Sequence, residues 1–359
     1  MNAPTPVPPI DEAKLNEFMG KAVADMGAAI HAVIIMLGDR LGLYKAMADC
    51  QPVSASELAH RTGLHERYLR EWLHANAASG YITYDAAAKT FTLPPEQALA
   101  LAVEDSPVYL PGFFQLLSAC CHDAPKIEEA FRTGQGVGWH EHHEDLFRGT
   151  GRFFRPNYNA NLISGWIPSL EGVQERLKLG AKVADVGCGL GSSTILMAKE
   201  YPNSTFYGFD YHAGSIELAR EAAQKAGVAD RIQFEVAPAK SFPGQDYDFV
   251  AFFDCLHDMG DPAGAAAHVR QALHPEGVWM IVEPFAGDTP EANHHPIGRI
   301  FYSASTMLCV PASLSQEVGA ALGAQAGEAK MREVVTSAGF SRFRRASETP
   351  FNLVFEAKP

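Results

Sequence analysis

Apolar and polar positions follow two different rhythms along this chain. In the C-terminal half, short apolar runs alternate with stretches at helical spacing. The runs predict strands at 182–186, 205–210, 231–236, 247–253, 278–283, 342–348 and 352–357, with helices between them, as over 214–226 and 262–273. Such alternation predicts an α/β fold: a Rossmann-like, seven-stranded, mostly parallel sheet with helices on both faces. Only a turn around Thr349-Pro350 separates the last two runs, so that pair is expected to be antiparallel.

The N-terminal half reads as helical. Residues 11–48 place Val23, Met26, Ile30, Val33, Ile34 and Leu37 at helical spacing. This helix looks apolar nearly all round, which predicts burial, including burial against a second copy in a homodimer. Ser54-Ala55-Ser56-Glu57 has the form of a capping box. Thr62-Gly63-Leu64 reads as a turn, a second helix runs from Glu66 to about Ser79, and Tyr81–Tyr84 with Thr90–Leu93 reads as a hairpin. Helix, turn, helix and hairpin make a winged helix. Two uses stay open: DNA binding through Arg67 and Arg70, or dimerisation with a substrate lid. The expected organisation is a loose, proline-rich tail at 1–10, a winged-helix dimerisation domain at 11–95, a helical linker and substrate lid at 96–170 rich in aromatics, and a ligand-binding domain at 171–359.

The chain has 359 residues, enough for two domains, and a net charge of −13. That charge argues against a nucleic-acid partner. The start, MNAPTPVPPI, shows no signal peptide, and the apolar stretch from Met26 to Leu37 contains His31 and is too short to span a bilayer. No membrane partner is expected. Six cysteines, at 50, 120, 121, 188, 255 and 309, form no C-x-x-C pair, which fits reduced thiols and a cytoplasmic location.

Candidate chemistry concentrates after the first predicted strand of the sheet. Val183-Ala184-Asp185-Val186 runs into Gly187-Cys188-Gly189-Leu190-Gly191, and Ser192-Ser193-Thr194 reads as a helix start with a hydroxyl cap. Glycines before a helix N-terminus let a ligand lie against backbone N–H groups. The dinucleotide pattern G-x-G-x-x-G fails at Ser192. Asp210 ends the next strand, where an acidic residue reaches ribose hydroxyls; capping the following helix is the plainer reading. His257 follows the fourth strand of this half, at the carboxyl edge where substrates lie. An imidazole there could take a proton from a hydroxyl.

The segments V-A-D-V-G-C-G-L-G, F-D at 209–210, L-H-D-M at 256–259, V-E-P at 282–284 and S-A-G-F at 337–340 resemble class I methyltransferases that use S-adenosyl-L-methionine (SAM). The closer likeness is to the group with an N-terminal winged helix, small-molecule O-methyltransferases and their bacterial relatives, and it covers nearly the whole chain. The resemblance implies SAM as cofactor, bound by Asp185, Gly187, Cys188, Gly189, Gly191, Asp210, Tyr211, Ala237, Asp254 and Cys255. It implies His257 as catalytic base and Glu283 as its support, no metal, and a small, partly apolar acceptor methylated on a hydroxyl oxygen. His257-Asp258-Met259 departs from the family's H-D-W only at Met259. A second supporting Glu would fall near Gly323-Ala324-Gln325, where none stands, and Ala237-Pro238-Ala239-Lys240 replaces the usual acidic residue near adenine.

Two other readings stay open. One is a SAM-sensing winged-helix regulator without catalysis; the other is transfer to nitrogen or sulfur with His257 only positioning. His140-Glu141-His142-His143-Glu144 invites a metal reading, but the H-E-x-x-H order is missing, and a solvated polar face or pocket rim is expected. His294-His295 reads as surface, with substrate contact as the alternative.

Overall fold

Residues 9–359 of the computed structural model are described below; the tail expected at 1–10 lies almost wholly outside them. The chain divides into two units, with the division between Phe114 and Gln115.

The first unit begins with helix α1 (Glu12–Arg40), started by the Asp11 carboxylate, which accepts the N–H groups of Ala13 and Lys14. Only His31, Ala32, Ile35 and Gly38 of α1 are buried. Gly38 is required there, because a Cβ would stand 2.6 Å from the Trp72 ring. Within its own chain the helix is therefore buried along one stripe only. Val23, Met26 and Ile30 are 61%, 70% and 68% exposed and line a side that nothing in the unit covers. The 12-residue apolar stretch also understates the element: α1 has 29 residues and is long and apolar enough, by length and composition, to cross a membrane.

The rest of this unit follows the winged-helix pattern. Ser54 Oγ accepts the Glu57 N–H at 3.1 Å and starts a helix over Ala55–Thr62. Gly63, at φ +71°, ends it. His65 Nδ1 accepts the Arg67 N–H and starts the helix Glu66–Ala78. Strands β1 (Thr83–Asp85) and β2 (Thr90–Thr92) pair antiparallel as the wing. Tyr44, Leu58, Trp72, Leu73 and Phe91 form the core under them. Arg67 and Arg70 are both held in ion pairs on their own helix, with Glu71 at 2.5 Å and Glu66 at 2.6 Å.

The second unit carries the sheet. Its strands are β3 (Lys182–Val186), β4 (Thr205–Asp210), β5 (Ile232–Val236), β6 (Tyr247–Phe253), β7 (Leu273–Pro284), β8 (Arg342–Glu348) and β9 (Asn352–Lys358). Their spatial order is β5-β4-β3-β6-β7-β9-β8. The first five are parallel, and β9 is antiparallel to both β7 and β8. Separate apolar clusters bury the two faces. This two-sided burial explains the unbroken apolar runs 249–253 of β6 and 278–282 of β7, since a parallel strand there has no solvent face. β7 starts at Leu273, earlier than expected; Leu273 pairs with Tyr247 of β6, and a register shift separates that pair from Phe249 and Val278. From β3 the chain moves outward to β4 and β5, then returns to β6 on the other flank of β3. Such a reversal opens a crevice beyond the carboxyl ends of β3 and β6.

Candidate functional site

Two loops meet at that crevice. The first leaves β3 through Gly187, Gly189 and Gly191, all at positive φ (+74°, +51° and +75°). A Cβ on Gly191 would strike the Phe234 ring at 2.6 Å, and one on Gly187 would strike Cys255 Sγ at 2.7 Å. Gly189 faces open space. Two backbone constraints and one open position make a turn against which a ligand can lie. The hydroxyl cap expected at the next helix, Ser192–Glu200, is corrected. Its N-cap is Gly191 with no side-chain cap, because Ser193 Oγ and Thr194 Oγ1 turn inward and both donate to Asp185 Oδ2 at 2.6 Å. Burial pushes Asp185 up to about 6, against the pull of those two hydroxyls. Its second oxygen, Oδ1, is buried and has no hydrogen-bond partner in the protein.

Asp210, at the end of β4, closes over the same turn. Its Oδ2 accepts the Gly189 N–H at 3.0 Å and its Oδ1 the His212 N–H at 2.8 Å. It does not cap the helix Ala213–Ala226; His212 Nδ1 does, accepting the Ser215 N–H. Burial raises the Asp210 carboxyl, against the pull of those two backbone donors and of the nearby His212 ring. Cys188 is buried, Ala237 is buried with its N–H on Asp210 O, and Tyr211 is exposed with its ring edge-on to His140.

The second loop leaves β6 at Asp254, a non-glycine residue at φ +49°. Such backbone costs energy and is held by its surroundings. Here the Asp254 N–H donates to Val282 O at 2.7 Å, and Asn352 Nδ2 donates to Asp254 Oδ1 at 2.8 Å. Asp254 Oδ2 is buried without a hydrogen-bond partner, and burial with Glu283 nearby raises this carboxyl well above the usual range. Cys255 Sγ lies 3.4 Å from Val186 O, tying the two loops together. The buried phenol of Tyr158 feels the charges of both Asp254 and Asp185. Two carboxyl oxygens without protein donors, Asp185 Oδ1 and Asp254 Oδ2, are thus buried at the carboxyl ends of the neighbouring strands β3 and β6. They fit a ligand that carries a positive charge.

His257 sits in a 3-10 turn, Leu256–Asp258, and is buried. Its Nδ1 lies 2.5 Å from Glu283 Oε2, while Glu283 Oε1 accepts the Leu256 N–H at 3.1 Å. Nε2 faces Asp258 Oδ1 at 3.0 Å. Burial opposes charge on this ring, but Asp258 and Glu283 outweigh it and hold His257 well above the ordinary histidine range.

Some site residues carry no signal in the sequence. Asn352 joins Asp254 to the helix Asp145–Asn161 through Asn157, whose Nδ2 donates to Asn352 Oδ1 at 2.6 Å. Cys309 ends a π-helical turn, Ser305–Cys309, and its thiol reaches His257 and Asp258. Nothing local in the sequence marks Asn352 or Cys309, because each meets its partners only through the fold. Gln325 stands where a second supporting acid would fall, and its Nε2 donates to Phe285 O.

The histidines at 140–144 are not a solvated face throughout. His142 is buried with Nδ1 3.0 Å from Asp123 Oδ2, and the His143 N–H donates to that oxygen at 2.8 Å. His140 and Glu144 lie in different elements, the turn Trp139–Glu141 and the N-cap of Asp145–Asn161. His295 caps the helix Pro296–Ala304, accepting the Gly298 N–H at 3.1 Å. Burial alone would raise the Asp123 carboxyl, but the His143 N–H, Lys126 and His142 together hold it at about 2. Its folded pKa is depressed, so it stabilises the protein above the ordinary carboxylate range and that contribution fades as pH falls toward 2. Asp123→Asn is expected to cost about 1–3 kcal/mol in urea unfolding at pH 7. The gap from the unsubstituted chain should narrow as pH is lowered from about 4 toward 2. A gap that is flat with pH would contradict the assignment.

Comparison with known proteins adds two domain matches. Residues 29–103 match the Rv2258c-like winged HTH domain, and residues 177–337 match a methyltransferase domain. Among curated proteins, the chain is 30% identical over 117 residues to methyltransferase GfsG of Streptomyces halstedii, covering 32% of this chain and 42% of that one. Its matches span 24% and 42% of the length of the first two curated relatives. Among solved structures, a putative O-methyltransferase of Nostoc punctiforme superposes with a TM-score of 0.72 at 19% identity, over 94% of this chain and 98% of the other. Human N-acetylserotonin methyltransferase in complex with SAM superposes at 0.70 with 14% identity, over 97% and 98%. At these identities the likeness is one of fold.

Proposed function

We propose that this chain, which joins an N-terminal winged helix–turn–helix domain to a class I methyltransferase domain, transfers a methyl group from SAM to the hydroxyl oxygen of a small, partly apolar acceptor. The observation that carries the reading is the buried His257–Glu283 pair at the mouth of β6, on the loop that Cys255 ties to the glycine turn. When bound, SAM supplies an electrophilic methyl group on a sulfonium. Asp185 Oδ1 and Asp254 Oδ2 would receive its positively charged end, Gly187, Cys188, Gly189 and Gly191 its backbone-hugging portion, and Asp210 its ribose. Tyr211, Ala237 and Cys255 would border the rest.

With Glu283 accepting a hydrogen bond from Nδ1–H, loss of the Nε2 proton would leave His257 neutral with its lone pair on Nε2. That nitrogen would accept the proton of an acceptor hydroxyl, and the flanking Asp258 and Glu283, which raise the proton affinity of the ring, support the role. His257 and Glu283 are buried, and a site shielded from water would sharpen alignment of the reacting atoms. A regulator acting on DNA is less well supported, since Arg67 and Arg70 are already paired with Glu71 and Glu66. The six free thiols support a cytoplasmic location. We further assign the exposed side of α1 to a homodimer.

S-adenosylhomocysteine should raise the melting temperature, while NAD should leave it unchanged. At 100 times its Kd the ligand adds about 2.7 kcal/mol, a shift of a few degrees. SAM affinity should fall as pH is lowered through about 6, where Asp185 takes up a proton and loses its attraction for a cation. Calorimetry that found NAD bound and SAM ignored would overturn the whole reading.

A further inference from the structure

We infer that His257, Asp258 and Cys309 form a binding site for one thiophilic divalent cation of the zinc type. This goes beyond the methyl-transfer reading, which needs no metal. The donor atoms of the three side chains lie within 4.8 Å of one another. Imidazole nitrogen, thiolate sulfur and carboxylate oxygen are together a donor set that suits zinc, and hard cations such as magnesium do not choose thiolate.

Three features beyond proximity point to a ligand. First, Glu283 holds Nδ1 of His257 at 2.5 Å, which turns Nε2 toward the other two donors. Metal-bound histidines are oriented by carboxylates in this way. Second, Asp258 Oδ1 is a buried oxygen 3.0 Å from Nε2, and the Cys309 thiol reaches both groups, so the three donors converge on one point. Third, the cluster is braced from behind. Ser313 Oγ donates to Met259 O at 2.8 Å, and Gln316 Nε2 donates to Asp258 O at 3.0 Å. These bonds fasten the segment after Cys309 to the His257 loop. The π-helical turn that delivers Cys309 is itself a form often found at functional sites.

Three protein donors leave a fourth tetrahedral position open, and Asp258, the least buried of the three, marks the approach. Binding displaces the Cys309 thiol proton and any proton on Nε2, both released to solvent, with no change of oxidation state. The Nε2 lone pair is then engaged by the cation. Cation occupancy and proton acceptance by His257 exclude each other, so zinc switches methyl transfer off.

The full chain, stripped with a chelator, is titrated with cobalt(II) as a coloured surrogate. One equivalent should bind, with tetrahedral visible bands and a thiolate-to-cobalt charge-transfer band, and zinc should displace it. Cys309→Ser and Cys309→Ala should both lose the charge-transfer band and weaken binding at least about 100-fold. Glu283→Gln should weaken it about 10-fold to 100-fold. The melting shift with S-adenosylhomocysteine reports folding of every variant without the cation. No stoichiometric binding, or a charge-transfer band that persists in both Cys309 variants, overturns the site. Cobalt bound as expected in a chain that methylates no acceptor would sink the catalytic reading and leave the site standing.

Discussion

Replacing His257 by alanine is expected to lower the methyl-transfer rate about 100-fold or more, with SAM affinity nearly unchanged. The split follows from where the side chain sits. His257 lies on the β6 loop beside Glu283 and makes no hydrogen bond to the glycine turn or to Asp210. Removing it takes away a proton acceptor without touching the groups assigned to the cofactor. Glu283→Gln should cost less. The amide can still accept the Leu256 N–H, but it no longer draws the Nδ1 proton or strengthens Nε2. Assays belong in chelator, so that an engaged Nε2 is not mistaken for a weak base. Initial rates with a phenolic acceptor, set beside the melting shift with S-adenosylhomocysteine, check the split. Activity within about threefold of the unsubstituted chain, far below the range of base catalysis, would leave His257 a positioning residue and favour a nitrogen or sulfur acceptor.

The part of this site that lies in short segments is legible in the sequence. Asp185, the three glycines and the following helix are contiguous, so their backbone demands show in the spacing. The strands are legible because both faces of the sheet are buried, and β6 reads as one apolar run. The start of β7 is hidden because His274-Pro275-Glu276 carries no strand pattern, although pairing with Tyr247 places the strand there. Serine and threonine after Gly191 read as caps because caps are their commonest use at a helix start. They instead satisfy a buried carboxylate, a demand visible only once Asp185 is seen to have lost its water. Asn352 and Cys309 are illegible for a related reason. Each meets its partner across a long loop of chain, and no local period encodes such a meeting. For α1 the apolar spacing is plain, but spacing alone does not say that the packed side is His31, Ala32, Ile35 and Gly38.

The uncovered side of α1 leads to the second large expectation, a dimer that a single substitution dissolves. Met19, Val23, Met26, Ile30, Val33 and Leu37 are all exposed, and they recur at alternating steps of four and three. That is the spacing of a helix-pair seam, extended near the helix start by exposed Leu15 and Phe18. The polar flanks agree: Lys21 and Asp25 form an ion pair along the same helix at 2.6 Å. A net charge of −13 would also be repelled by anionic lipid. A two-fold partner is the commonest way to close such a surface. The unsubstituted chain should therefore scatter light as a dimer at micromolar concentration. Ile30→Glu places one charge in the seam from each copy. Losing burial of an isoleucine costs about 1.5–3 kcal/mol per side chain, so about 3–6 kcal/mol for the pair. That weakens association about 100-fold to 10,000-fold. Ile30 is 68% exposed within its own chain, so the separated copies should keep their fold and their melting shift with S-adenosylhomocysteine. An unsubstituted chain that is monomeric at micromolar concentration would refute the dimer. If that monomer also floated with neutral lipid vesicles and Ile30→Glu did not, the seam would belong to a membrane surface instead.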